Sequence, residues 1–140
     1  MLIVQTYYMN NPPIILTVDD ENDFLEVIGT KLESSGFKVE IAQNGDEAIA
    51  KAKAIKPDLI LMDVQMPKKD GIQATMEIKK DPAMKDVKIM FLTNLGDSWP
   101  SVAQVNRRFA QQVGADDYFK KGGDLDGLVE KVHQILGDKK

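Results

Sequence analysis

The sequence predicts an α/β domain in which a parallel five-stranded sheet is covered by helices on both faces. Short β-rich runs alternate with helical patterns five times, and none of the connections reads as an interdomain linker. The runs IILTV and LILM are continuously apolar rather than alternating. Serial βα units favour a parallel sheet, and a strand covered on both faces carries an unbroken apolar run because neither face meets water.

The first strand is expected at Ile14 to Val18, just after the breaker cluster Asn10-Asn11-Pro12-Pro13. Residues 1–12 therefore read as a flexible N-terminal extension and residues 13–138 as the domain. The first helix carries Phe24, Val27, Ile28 and Leu32 at helical spacing and stops at Ser35-Gly36, a suitable C-terminal glycine. Strand two follows from Phe37 to Ala42. The second helix begins near Gly45, turns Ala48, Ile49, Ala52 and Ile55 inward, and ends before Pro57. Strand three is Leu59 to Asp63.

A weaker third helix runs from about Gly71 to Lys79 with Ile72 and Met76 inward, and Asp81-Pro82 breaks it. Strand four spans Lys88 to Thr93. The fourth helix aligns Val102, Val105, Phe109 and Val113 beneath a polar outer face. Strand five is Asp116 to Phe119, and the fifth helix carries a stripe of Leu125, Leu128, Val129, Val132, Ile135 and Leu136 that ends at Gly137.

At 140 residues one domain buries roughly 68–70% of its unfolded surface, enough for a self-sufficient core. A net charge of −4 provides no basic surface, so no direct nucleic-acid contact is expected. The chain has no cysteine, which excludes disulfides, thiolate nucleophiles and zinc–sulfur sites. Its apolar runs fall far short of the roughly 20 residues that span a bilayer, and its start lacks the basic segment of a secretory signal. No membrane partner and a cytoplasmic location are expected. His133, the only histidine, lies between Val132 and Ile135 on the polar side of the last helix and reads as a surface residue.

In open parallel sheets, ligands bind beyond the carboxyl ends of the strands. Strand one ends at Asp19-Asp20, strand three at Asp63 and strand four at Thr93, while the chain leaves strand five through Lys120-Lys121. A carboxylate can attack phosphorus to form an aspartyl phosphate, but the approach of anion to anion requires neutralisation. Mg²⁺ suits that task, being a hard ion held by one or two carboxylates together with phosphate oxygens. Taken singly, Asp20 can be a helix cap, Asp63 a loop acid and Thr93 a strand residue. Their coincidence at strand ends favours the joint reading. Glu21 and Asp23 need only a helix start, where acids complement the helix dipole by about 0.3–1 kcal/mol.

The segments ILTVDDEND, PDLILMDVQMPKKDG, IMFLTN and GADDYFKKG resemble the receiver domain of two-component response regulators, of the chemotaxis-regulator type. The resemblance covers residues 13–137. It implies a flavodoxin-like doubly wound five-stranded sheet of order 2-1-3-4-5 with five helices. It further implies that Asp63 is the phospho-acceptor, that Asp19 and Asp20 serve Mg²⁺ with Asp63, and that the Gln65 backbone carbonyl completes the metal site. Thr93 and Lys121 then contact the phosphoryl group, Tyr118 is the aromatic switch residue, and Met66-Pro67 and Gly71 shape the intervening loop.

A histidine kinase or histidine phosphotransfer protein is the implied donor, and a downstream protein reads the switched surface of helix four, strand five and helix five. The resemblance implies a monomer or weak dimer that accepts a phosphoryl group for signalling and is not an enzyme. The alternative within the fold is a pseudo-receiver that docks partners without phosphorylation. A phosphohydrolase of the haloacid dehalogenase type would carry a second aspartate where Gln65 stands.

Departures from the family pattern concern three places. Lys121 is followed by Gly122-Gly123 instead of the usual cis proline, so a trans bond or a looser loop is expected, since a non-proline cis bond costs about 2.5–4 kcal/mol. Asn94 replaces a small residue, and with Leu95 it is a candidate modulator of the phosphoryl group's environment. The segment around Asp97-Ser98-Trp99-Pro100 is longer than receivers usually have, and Trp99 is a candidate partner contact.

Overall fold

A computed structural model describes residues 11–66, 69–93 and 111–137. Its strands are β1 (Ile14–Val18), β2 (Lys38–Ala42), β3 (Leu59–Asp63), β4 (Lys88–Thr93) and β5 (Asp117–Lys120). They form one parallel sheet of order β2-β1-β3-β4-β5, the doubly wound flavodoxin-like arrangement that the family resemblance implied. Among the described residues the helices are α1 (Asn22–Ser34), α2 (Gly45–Ile55), α3 (Gly71–Lys80) and α4 (Leu125–Leu136), with a short 3₁₀ turn at Pro82–Met84. Residues 102–110 of the expected fourth helix, Asn94, Leu95, Trp99, Pro67 and residues 1–10 lie outside the described residues, while Val113 at its end packs on the core as expected.

Strand residues alternate between the two faces, as the pleat requires. On one face Leu16, Val18, Ile60, Met62, Ile89 and Phe91 pack with Ala48, Ala52, Ala74 and Ile78, and the small alanines let α2 and α3 lie close to the sheet. On the other, Ile15, Leu59, Leu61, Met90 and Leu92 meet Ile28, Leu32, Leu128 and Val132. Every residue of the central strand β3 is buried, Asp63 included.

Local chemistry sets the helix ends. Asn44 caps α2 by accepting from the Glu47 N–H at 2.8 Å, and Asp70 caps α3 through the Gln73 N–H at 2.8 Å. At the opposite edge, the Asp58 and Asp116 carboxylates accept from the N–H groups of Ile14 and Ile89 at 2.8 and 2.9 Å, anchoring the starts of β1 and β4.

The helical spacing misplaces two side chains. Val27 is 53% exposed and Met76 47% exposed; α1 turns Leu25, Ile28 and Leu32 inward, and α3 turns Ala74, Thr75 and Ile78 inward. An apolar residue at the margin of a stripe stays outside when its neighbours already fill the contact. His133 is half-buried rather than free on the surface, its ring centroid 5.2 Å from that of Phe37. No cis peptide bond occurs among the described residues, and Gly122 takes φ +88°, a left-handed backbone that glycine adopts without a Cβ clash.

Candidate functional site

The carboxyl ends of β1, β3, β4 and β5 meet at one edge of the sheet, and each delivers a functional group there. Asp19 follows β1, its N–H donating to the Ala42 carbonyl at 3.1 Å. Its side chain is fully buried; Oδ1 accepts the Glu21 N–H at 2.9 Å, and Oδ2 lies 2.8 Å from the Lys121 ammonium. Asp63 ends β3 and is also buried. Its Oδ1 accepts the Gln65 N–H at 3.3 Å, and its Oδ2 stands 3.8 Å from Lys121 Nζ. Asp20 is exposed, yet it joins the two: one carboxylate oxygen from each of Asp19, Asp20 and Asp63 lies within 4.8 Å of the others.

Lys121 is positioned by its own backbone, because its N–H donates to the Thr93 carbonyl at 2.6 Å and so continues the pairing of β5 with β4. Thr93 ends β4 with its hydroxyl buried and without a hydrogen-bond partner among the described residues. Such a group costs about 1–3 kcal/mol unless something enters to satisfy it.

The electrostatics follow from crowding acids in a buried place. Burial, and then repulsion from Asp19, push the Asp63 carboxyl up to about 8, against the opposing pull of Lys121 and the Gln65 N–H. Burial also raises Asp19, again against Lys121. For Lys121, burial disfavours the charge, but the Asp19 contact, the field of Asp63 and the Glu21 hydrogen bond outweigh it and hold the ammonium above its ordinary range. Two of the three clustered carboxylates, those of Asp19 and Asp63, thus face the Lys121 ammonium.

This donor set fits a hard divalent cation. It consists of oxygens alone, one from each of three carboxylates within 4.8 Å of one another, and such hard donors are the kind that Mg²⁺ takes. Thiolate or imidazole ligands preferred by softer metals are absent from the cluster.

Gly71 has a steric role beside this site. A Cβ there would lie 2.0 Å from the Asp63 carbonyl oxygen and 2.8 Å from Met62 Cγ, so the first turn of α3 rests directly on the end of β3. The Gly71 N–H also donates to the Val64 carbonyl at 3.1 Å.

Of the residues expected at the site, Asp19, Asp20, Asp63 and Lys121 come together, Gln65 adjoins Asp63, and Thr93 ends the next strand. Tyr118 stands apart: it is half-buried against the core, and Lys131 Nζ lies 5.4 Å from its ring centroid. Glu21 was read as no more than a helix start. In the fold it flanks α1 without a side-chain capping bond, and its Oε1 accepts from Lys121 Nζ at 3.0 Å. Nothing local in the sequence signals this contact, which joins residues a hundred positions apart.

Comparison with known proteins agrees with the geometry. The family of the response regulator receiver domain matches residues 15–133. The alkaline phosphatase synthesis transcriptional regulatory protein PhoP of Bacillus subtilis is 37% identical over 122 residues, covering 87% of this chain and 48% of that protein. The DNA-binding dual master transcriptional regulator RpaA of Synechocystis is 30% identical over 124 residues, covering 89% and 49%. The chain therefore spans about half the length of these curated relatives.

Among solved structures, a putative response regulator from Chloroflexus aurantiacus superposes with a TM-score of 0.80 at 29% identity, covering 90% of this chain and 98% of that one. The chemotaxis protein CheY4 of Vibrio cholerae superposes with a TM-score of 0.77 at 25% identity, covering 89% and 98%. The family match over the sheet and helices, joined to an acidic cluster at the strand ends, leads to one conclusion: the chain belongs to the response regulator receiver domains of two-component signal transduction.

Proposed function

We propose that this receiver accepts a phosphoryl group on Asp63 from a histidine kinase or histidine phosphotransfer protein, with Mg²⁺ as its cofactor. The observation that carries the reading is the meeting of Asp19, Asp20 and Asp63 at the strand ends, beside the Lys121 ammonium. Asp19, Asp20, Asp63 and the Gln65 carbonyl would hold the cation. When bound, Mg²⁺ supplies the positive charge that lets a carboxylate meet an anionic phosphoryl group.

The chain's own residues supply the rest. An Asp63 carboxylate oxygen forms the new bond to phosphorus, the bond from phosphorus to the donor atom breaks, and the departing group keeps that electron pair. Asp63 must shed its proton first, because the free site favours the neutral form near pH 7. The Lys121 ammonium, already 3.8 Å from Asp63 Oδ2, pairs with the transferred group. The buried Thr93 hydroxyl donates to a phosphoryl oxygen and so gains the partner it lacks. Movement of Thr93 and Tyr118 then shifts the surface formed by the fourth expected helix, β5 and α4 toward a state that a downstream protein recognises.

Residues 13–138 form the acting unit in this reading, a signalling phospho-acceptor of the cytoplasm. No helix among the described residues is long and apolar enough to cross a membrane. The name of one relative records DNA binding for that longer protein; for this chain the net charge of −4 supports protein partners instead. The completeness of the acidic set weighs against the pseudo-receiver alternative.

Treatment with a small acyl phosphate and Mg²⁺, followed by intact-mass analysis, tests the proposal. One labile phosphoryl adduct is expected, and Asp63→Asn should lack it. The absence of an adduct in the parent with any donor would overturn the phospho-acceptor reading.

A further inference from the structure

Lys121 has two anionic partners of different kinds. Its side chain is 10% exposed, with Nζ 2.8 Å from the fully buried Asp19 Oδ2 and 3.0 Å from Oε1 of Glu21, whose side chain is 64% exposed. The Phe24 ring lies on another side, its centroid 4.7 Å from Nζ. Asp63 Oδ2 is more distant, at 3.8 Å.

Both oxygens of Asp19 are engaged in this arrangement, Oδ1 by the Glu21 N–H at 2.9 Å and Oδ2 by the ammonium. The ammonium therefore occupies ground that a divalent cation ligated by Asp19 would also claim. Two like charges cannot share that carboxylate cheaply, and an ammonium this enclosed cannot be left without a counter-charge. Glu21 already stands in hydrogen-bond contact with it. The Glu21 carboxylate is largely in water and has little desolvation to recover, so it is the partner that the ammonium can keep.

We propose that Glu21 is a positioning residue: it retains the Lys121 ammonium when Asp19 turns to a divalent cation, and holds that ammonium beside Asp63. The exchange of cation for ammonium at Asp19 stands on the contacts alone, while the benefit to phosphoryl transfer rests on the phospho-acceptor reading of Asp63. Glu21 thus belongs to the site through its side chain as well as through the N–H that orients Asp19.

A double-mutant cycle read by calorimetric titration with Mg²⁺ alone tests the proposal, using the parent, Glu21→Gln, Lys121→Met and the double variant. Glu21→Gln should weaken Mg²⁺ binding about three- to tenfold, the scale of coupling between groups in direct contact. In the Lys121→Met background the same change should have almost no effect, since no ammonium then needs a second partner. Equal weakening in both backgrounds would show Glu21 acting as a remote charge and would overturn the proposal, as would unchanged or tighter binding in Glu21→Gln. Should Lys121→Met fail to fold, Lys121→Gln closes the same cycle. Loss of the Asp63 adduct from the parent would remove the phospho-acceptor reading, yet the calorimetric cycle would still decide the role of Glu21.

Discussion

Binding of Mg²⁺ should release protons, and the raised Asp63 carboxyl sets the amount. With its pKa pushed up to about 8 by burial and by Asp19, the group at pH 7 is protonated over ionised by about ten to one. A cation that needs the carboxylate must then displace about 0.9 proton from Asp63 on average. The sign follows directly: protons compete with the cation, so affinity rises with pH and levels off above the free-site pKa. Between pH 6 and 7 the apparent Kd should fall about tenfold, and from pH 6 to 8 about fiftyfold. Burial also raises Asp19, which steepens the dependence. Calorimetry in two buffers of different ionisation enthalpy counts the released protons, and titrations at several pH values give the slope. A Kd independent of pH between 6 and 8, with no proton release, would refute the reasoning. It would mean that Lys121 at 2.8 and 3.8 Å offsets burial and keeps the acids ionised in the free protein.

The same electrostatics govern folding stability in the absence of metal. Because the folded pKa of Asp63 lies above its unfolded value, its favourable contribution is complete below the unfolded value of 3.8 and is lost as pH rises through about 8. Asp63→Asn should therefore stabilise the metal-free protein in urea unfolding by about 1–3 kcal/mol, with a larger gain at pH 8 than at pH 5. The full linkage limit is roughly 5–6 kcal/mol, and re-titration of coupled neighbours reduces it; equal stability of the two proteins at both pH values would contradict the account. Gly71→Ala forces a Cβ to within 2.0 Å of the Asp63 carbonyl, so α3 or the end of β3 must move. A loss of about 2–4 kcal/mol in denaturant unfolding and slower adduct formation are expected, and wild-type values for both would show that the close approach has no consequence.

Much of this receiver was legible because its signals are local. Continuous apolar runs at IILTV and LILM identify strands covered on both faces, and the capping residues Asn44 and Asp70 begin helices near the expected positions. The acids and the Lys120-Lys121 pair were legible because chain polarity in a parallel sheet places every strand's carboxyl end at one edge, while the choice of Lys121 within the pair came from family resemblance. Strand order is another matter: it came from family resemblance, since periodicity says which residues are buried and leaves strand neighbours open. Val27 and Met76 show the limit of periodicity itself, for spacing marks a stripe while packing decides which of its edges is covered.

By itself the sequence determined the succession of strands and helices and the set of polar residues at strand ends, because period, capping and chain direction act over a few neighbouring residues. Tertiary structure alone decided three further matters: that a side chain at Gly71 would collide with the Asp63 carbonyl, that His133 packs on Phe37, and that Glu21 reaches the Lys121 ammonium. The first is a close approach across the β3–α3 loop and the other two join segments far apart in the chain, so their physics resides in distances that no local pattern encodes.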